Sequence, residues 1–91
     1  MAARIEVARL NEGEFQVRII EGKSESRHRV TLKTDDYHRL TGGKIEPPEL
    51  IRRSFEFLLA RESKESILPK FDLPLIGRYF PEYERELKRK I

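Results

Sequence analysis

FQVRI (Phe15–Ile19) and, after a short polar turn, RHRVTLK (Arg27–Lys33) set the architecture of this chain. In the first stretch Phe15, Val17 and Ile19 alternate with Gln16 and Arg18. In the second, His28, Val30 and Leu32 alternate with Arg27, Arg29, Thr31 and Lys33. A period of two places one set of side chains on each face of a strand, so both stretches predict half-buried β-strands. Upstream, Ile5 to Leu10 predicts a further strand, with Ile5 and Val7 on one face. Asn11-Glu12-Gly13-Glu14 and Glu21-Gly22-Lys23-Ser24-Glu25 are turns. Three strands joined by short polar turns predict an antiparallel meander with one apolar face in need of a cover.

The pattern turns helical near Thr34. Thr34 is positioned to cap a short helix over Asp35–Leu40, whose acidic pair suits the positive end of the helix dipole. Gly42-Gly43 ends it. Pro47 and Pro48 suit the first turn of a second helix running to about Glu62, with Ile51, Phe55, Leu58 and Leu59 as its buried stripe. Beyond it, Pro69, Pro74 and Pro81 divide the chain into short turns. Phe80, Tyr83, Leu87 and Ile91 then recur at helical spacing. The expected fold class is α+β, a three-stranded antiparallel β-meander followed by two to four helices packed on one face. A single domain over 1–91 is expected, with the meander over 1–34, helices over 35–62 and a proline-punctuated helical segment over 63–91.

A chain of 91 residues buries only roughly 60–65% of its unfolded surface, so its core is modest and dimerisation is a natural way to enlarge it. There is no cysteine, which removes disulfides, thiolate metal sites and cysteine nucleophiles together. No apolar stretch follows Met1-Ala2-Ala3-Arg4, and no apolar run approaches the roughly 20 residues that span a bilayer. A cytoplasmic protein without membrane contact is the expectation. Charge is abundant but nearly balanced, 19 basic against 16 acidic residues for a net +3. Nucleic-acid binding therefore requires the cations to gather on one face.

Little in the chain resembles catalytic apparatus. The two histidines, His28 and His38, have no partners at metal-ligand spacing, and His28 shares its face with Val30 and Leu32 as a structural histidine does. Ser54 falls among Leu50, Phe57 and Leu58, where a small residue permits close packing. Gly42-Gly43-Lys44 lacks the preceding strand and the spacing of a phosphate loop. No catalytic residue, metal, cofactor or small-molecule substrate is expected.

The third strand stands out. Arg27, Arg29, Thr31 and Lys33 share one side of the sheet, and Arg18 of the second strand joins them. Cations and hydroxyls at spacing two are what a β-ribbon needs to reach phosphates and base edges. The same pattern suits a solvated face, with Glu6 in position to pair across. From Ser26 to Ser63 the chain resembles the ribbon-helix-helix DNA-binding fold of bacterial repressors and antitoxins. RHRVTLK matches its ribbon, DDYHRL (Asp35–Leu40) its first helix, and PPELIRRSFEFLLARES (Pro47–Ser63) its second, opening on Glu49-Leu50-Ile51-Arg52. The resemblance implies a two-fold homodimer whose paired ribbons enter the major groove and read DNA through Arg27, Arg29, Thr31 and Lys33. The chain departs from that pattern at Glu46-Pro47-Pro48 and in its upstream hairpin.

The leading expectation is thus a small DNA-binding or antitoxin-like regulator. The alternative is a protein–protein adaptor or accessory subunit anchored by Phe71, Tyr79, Phe80 and Tyr83, since aromatics flanked by charge typify interface cores. Two observations separate them. Carboxylates beside each guanidinium would weaken the first, and burial of the four rings within the chain would weaken the second.

Overall fold

The computed structural model describes residues 3–91. Its sheet contains β1 (Arg4–Asn11), β2 (Glu14–Glu21), β3 (Ser24–Thr31) and β4 (Lys70–Asp72), in that spatial order. The helices are α1 (Thr34–Thr41), α2 (Pro47–Leu59), α3 (Ile76–Tyr79) and α4 (Tyr83–Arg89), with 3-10 turns at Lys64–Ser66 and Leu73–Leu75. The protein is α+β. The first three strands form the expected antiparallel meander, but the sheet is mixed, because β4 joins β3 in parallel. That fourth strand lies in the proline-punctuated segment, where short turns and a terminal helix were expected. The three residues Lys70–Asp72 are too few to show a period, and tertiary pairing decides their conformation.

The inner face of the sheet carries the core. Phe15, Val17 and Ile19 of β2 and Val30 of β3 are buried beneath Leu50, Ile51, Phe55 and Leu58 of α2. Phe55 lies at the centre, 5.6 Å from the His28 ring and 5.9 Å from that of Phe71. Pro47 and Pro48 occupy the first turn of α2, as expected. Glu49 accepts from Arg53 at 2.8 Å and also takes Arg52, and the hydrogen bonds from these two guanidinium groups, Arg52 first, hold its carboxyl below the usual range. Helix α2 stops at Leu59, short of Glu62. Thr34 does not cap α1. It is the first helical residue, and Lys33 stands at the cap position without a side-chain bond. Gly42 ends α1 as expected, at φ 62°, donating its amide to the His38 carbonyl.

The C-terminal third folds back onto the helices. Phe80 precedes Pro81, and the ring of a following proline disfavours the helical region. Phe80 is accordingly extended, at φ −130° and ψ 90°, which separates α3 from α4 and lays its ring edge-on to Phe57 at 5.8 Å. The helix expected from Phe80 is thereby shortened to α4. Its Glu84 pairs with Arg39 of α1, at 2.6 Å.

Tyr83 is fully buried and fixes α4 to α2. Its hydroxyl lies 2.6 Å from Ser54 Oγ, which in turn lies 2.8 Å from the Leu50 carbonyl. Ser54 has one proton and the carbonyl can only accept, so Ser54 donates to Leu50 and Tyr83 donates to Ser54. Burial pushes the Tyr83 hydroxyl well above the usual phenol range, against the opposing effect of Ser54. A group raised in the folded state stabilises below its unfolded pKa, so this contribution is intact below about pH 10 and is lost as pH climbs beyond it. Tyr83→Phe is expected to lower unfolding stability at pH 7 by about 1 kcal/mol, with coupling to Ser54→Ala of at least about 0.5 kcal/mol in a urea double-mutant cycle. The variant should also lose the tyrosinate absorbance that develops only with alkaline unfolding. Strict additivity would show that the two hydroxyls do not interact.

Candidate interaction surfaces

The outer face of the sheet is free of helices. The register sets Arg18 directly opposite Arg27, Gln16 opposite Arg29 and Glu14 opposite Thr31. On the far side Glu6 lies opposite Arg18. Arg27 and Arg29 keep 64% and 50% of their side chains exposed, so the expected gathering of cations on one open face is present.

It is a paired gathering. Two arginines directly opposite one another repel, and a sheet needs anions between them. Glu6 accepts from Arg18 at 2.5 Å and also meets Arg4 at 2.9 Å. Glu25 accepts from Arg27 at 2.8 Å and lies 3.9 Å from Arg18. The hydrogen bond from Arg27 is the main cause that holds the Glu25 carboxyl below its ordinary range. Arg29 lies 3.6 Å from Glu14. Thr31 donates its hydroxyl to Asp72 at 2.7 Å. Lys33 lies past the end of β3, at the start of α1, and so is not on the strand. With Arg4 and Lys70 the face holds, among the described residues, five cations against four carboxylates. Its net charge is close to zero. Moreover, β3 is bonded on both edges, to β2 and to β4, whereas a ribbon-helix-helix dimer pairs that strand with its own copy.

The four C-terminal aromatics part company. Tyr83 is buried under α2 and is not available to a partner, and Phe71 is largely buried on β4 and cannot serve as a projecting anchor. Phe80 is half-buried against Phe57, and the Arg61 guanidinium lies over the Phe57 ring at 3.6 Å from its centre. Tyr79 alone stands open, 65% exposed.

Beside Tyr79 lies a cleft of about 420 Å³ between the end of α2 and the Ser66–Phe80 segment. Leu58, Leu68, Phe71, Ile76 and Tyr79 give it an apolar lining, and Glu62 is the one charged residue in that lining. Leu68 on its rim is 42% exposed. Glu62 makes no ion pair and no side-chain hydrogen bond among the described residues. The sequence offered no signal for Leu58, Glu62 or Leu68 as site residues, because a hollow left where short irregular elements fold back on the end of α2 has no period.

The rim is held from the sheet side by His28, which is 4% exposed. Its Nδ1 lies 2.8 Å from the Leu68 carbonyl, and its Nε2 lies 2.8 Å from Ser26 Oγ. A carbonyl has no proton to give, so Nδ1 carries one and donates it to Leu68, and Nε2 is left to the Ser26 hydroxyl. Nearby, buried Lys64 reaches Glu21 at 3.4 Å and also pairs with Glu65, tying the turn before Leu68 to the β2–β3 hairpin.

No family model, no characterised protein and no solved structure matches this chain.

His28→Ala should leave the Leu68 carbonyl without its donor and lower stability by about 1–3 kcal/mol in urea titration. The Leu68 methyl resonances should shift with it. Unchanged stability together with unmoved Leu68 signals would show that the ring does not hold the rim.

Proposed function

We propose that this domain is a non-catalytic protein-interaction module, an adaptor or accessory subunit, that receives an apolar side chain of its partner in the cleft beside Tyr79. The observation that carries this reading is a concave apolar surface with an aromatic ring and Leu68 open at its edge. Protein contacts draw their energy from a few aromatic and aliphatic anchors seated in such hollows, with polar residues around them. Two of the four aromatics first suggested for this role, Phe71 and Tyr83, instead form the floor and the scaffold. The experiment is site-specific photocrosslinking in the native host. A benzoylphenylalanine at position 79 should give a covalent adduct with a discrete protein, and the same probe at position 27 should not. Adducts at 27 in preference to 79, or none at 79, would refute the reading.

A second reading, a small DNA-binding or antitoxin-like regulator, is favoured by one observation, the exposure of Arg27 and Arg29 at alternate positions of an open face. Exposed ion pairs are worth only about 0–1 kcal/mol, so a phosphate is able to displace Glu14 or Glu25. The near-neutral face argues for weak attraction, because affinity for nucleic acid grows with the number of phosphates neutralised. Anisotropy titrations with random duplex DNA at about 50 and 200 mM salt decide it. The reading expects salt-dependent binding whose slope falls by about one in Arg29→Ala. Absence of binding at the lower salt would rule it out. Sedimentation of the same samples reports whether the chain self-associates.

A further inference from the structure

The cleft has a neighbour that specifies how a partner would lie. β4 is an edge of the sheet. Arg29 donates its amide to the Pro69 carbonyl at 2.8 Å, and the register pairs Arg29 with Lys70 and Thr31 with Asp72. In a parallel ladder, alternate residues turn their backbone groups to opposite sides. Phe71 therefore faces β3 with its amide and carbonyl, while those of Lys70 and Asp72 face outward. Among the described residues β4 has no strand on that side, while the Asp72 carbonyl opens the 3-10 turn at Leu73–Leu75, so the outward groups left to a partner are the Lys70 amide and carbonyl and the Asp72 amide.

The opposite edge is different in kind. β1 is eight residues long but carries Arg4, Glu6 and Arg9, and its register breaks between Arg9 and Asn11. Charges and irregularities of this sort blunt an edge against pairing. At β4 the edge borders a hollow. Phe71, the inward side chain of β4, is part of the cleft lining. A strand added there would lie roughly 4.8 Å away, with its own inward side chain next to Phe71.

Resting on the interaction-module reading, we infer that the partner is an extended segment that adds to β4 as a fifth strand. It places one apolar side chain in the cleft and a neighbouring Lys or Arg beside Glu62. The outward amides of Lys70 and Asp72 and the Lys70 carbonyl supply the main-chain bonds, and the cleft supplies the specificity, as in other strand-addition complexes. Glu62 selects the charge. It is a half-buried carboxylate without a counter-ion at an otherwise apolar site, so a cation on the partner is favoured and an anion is repelled. An amphipathic helix would fill the hollow but would leave the outward groups of β4 unused.

The test is selection of a displayed library of random ten-residue peptides on the intact chain, with Tyr79→Ser as the counter-screen. Tyr79 is largely in solvent, so that variant keeps the fold. Enriched sequences should alternate apolar and polar residues and carry Lys or Arg next to the anchor. A synthetic peptide from that set should slow exchange of the Lys70 and Asp72 amides. Glu62→Gln should weaken it about twofold to fivefold, the effect of one exposed ion pair. Enriched peptides with helical spacing, or with acidic flanks, or leaving both amides unprotected, overturn strand addition while the cleft remains a binding site. Equal recovery on the chain and on Tyr79→Ser overturns both.

Discussion

The seam between β3 and β4 is the constraint on which the remainder of the molecule rests. Three contacts of different chemistry close it. The Arg29 amide bonds the Pro69 carbonyl, the buried His28 ring bonds the Leu68 carbonyl, and the Thr31 hydroxyl bonds Asp72. A three-residue strand has too little ladder of its own to be stable, so side chains above and below the sheet must hold it in register. The result reaches in both directions along the chain. It brings Phe71 under Phe55 to complete the core, and it fixes where the downstream segment begins its return across α2.

The same seam bears on function from two sides. Occupying the second edge of β3 removes the free ribbon that a strand-paired DNA-binding dimer needs, and it engages Thr31, one of the side chains suited to reading bases. It also creates a new edge next to an apolar hollow. The charged residues of the outer face follow a separate logic. Arg18 and Arg27 face one another across a sheet that is stable only with Glu6 and Glu25 interleaved, so much of the cationic signal is bound up in holding strands side by side.

How much of this was legible depends on whether a feature has a period. The alternation of β2 and the apolar stripe of α2 do, and both lie where they were expected, α2 ending three residues early. Gly42 was read correctly because a left-handed helix stop needs a residue without a Cβ. β4 has no period, and neither has the Tyr83–Ser54 bond, which joins residues 29 apart. Pairing on the sheet face was partly within reach. Glu6, Arg18 and Arg27 fall on one outward face once the hairpins are in register, so two known turns imply the ladder. Glu25 had been assigned to a turn, and that placement hid its role between the two arginines. The extent of α1 was misjudged at its first residue, where Thr34 enters the helix and takes no capping role.

The open cleft follows from the proline spacing of the last third. Pro69, Pro74 and Pro81 permit only a three-residue strand, a 3-10 turn and a four-residue helix before α4, so backbone direction changes every few residues. Such a path seats some apolar side chains well and strands others. Phe71, Leu73, Ile76 and Tyr83 reach the core, while Leu68 and Tyr79 are left at the surface on either side of a gap. In a chain this small every buried ring contributes substantially to stability, and leaving a tyrosine 65% exposed beside an apolar hollow forgoes that contribution. A surface of that kind is what the interaction-module proposal accounts for. The unpaired carboxylate of Glu62 and the outward backbone of β4 are what the proposed partner, an extended chain with an apolar anchor and a positive charge, would meet.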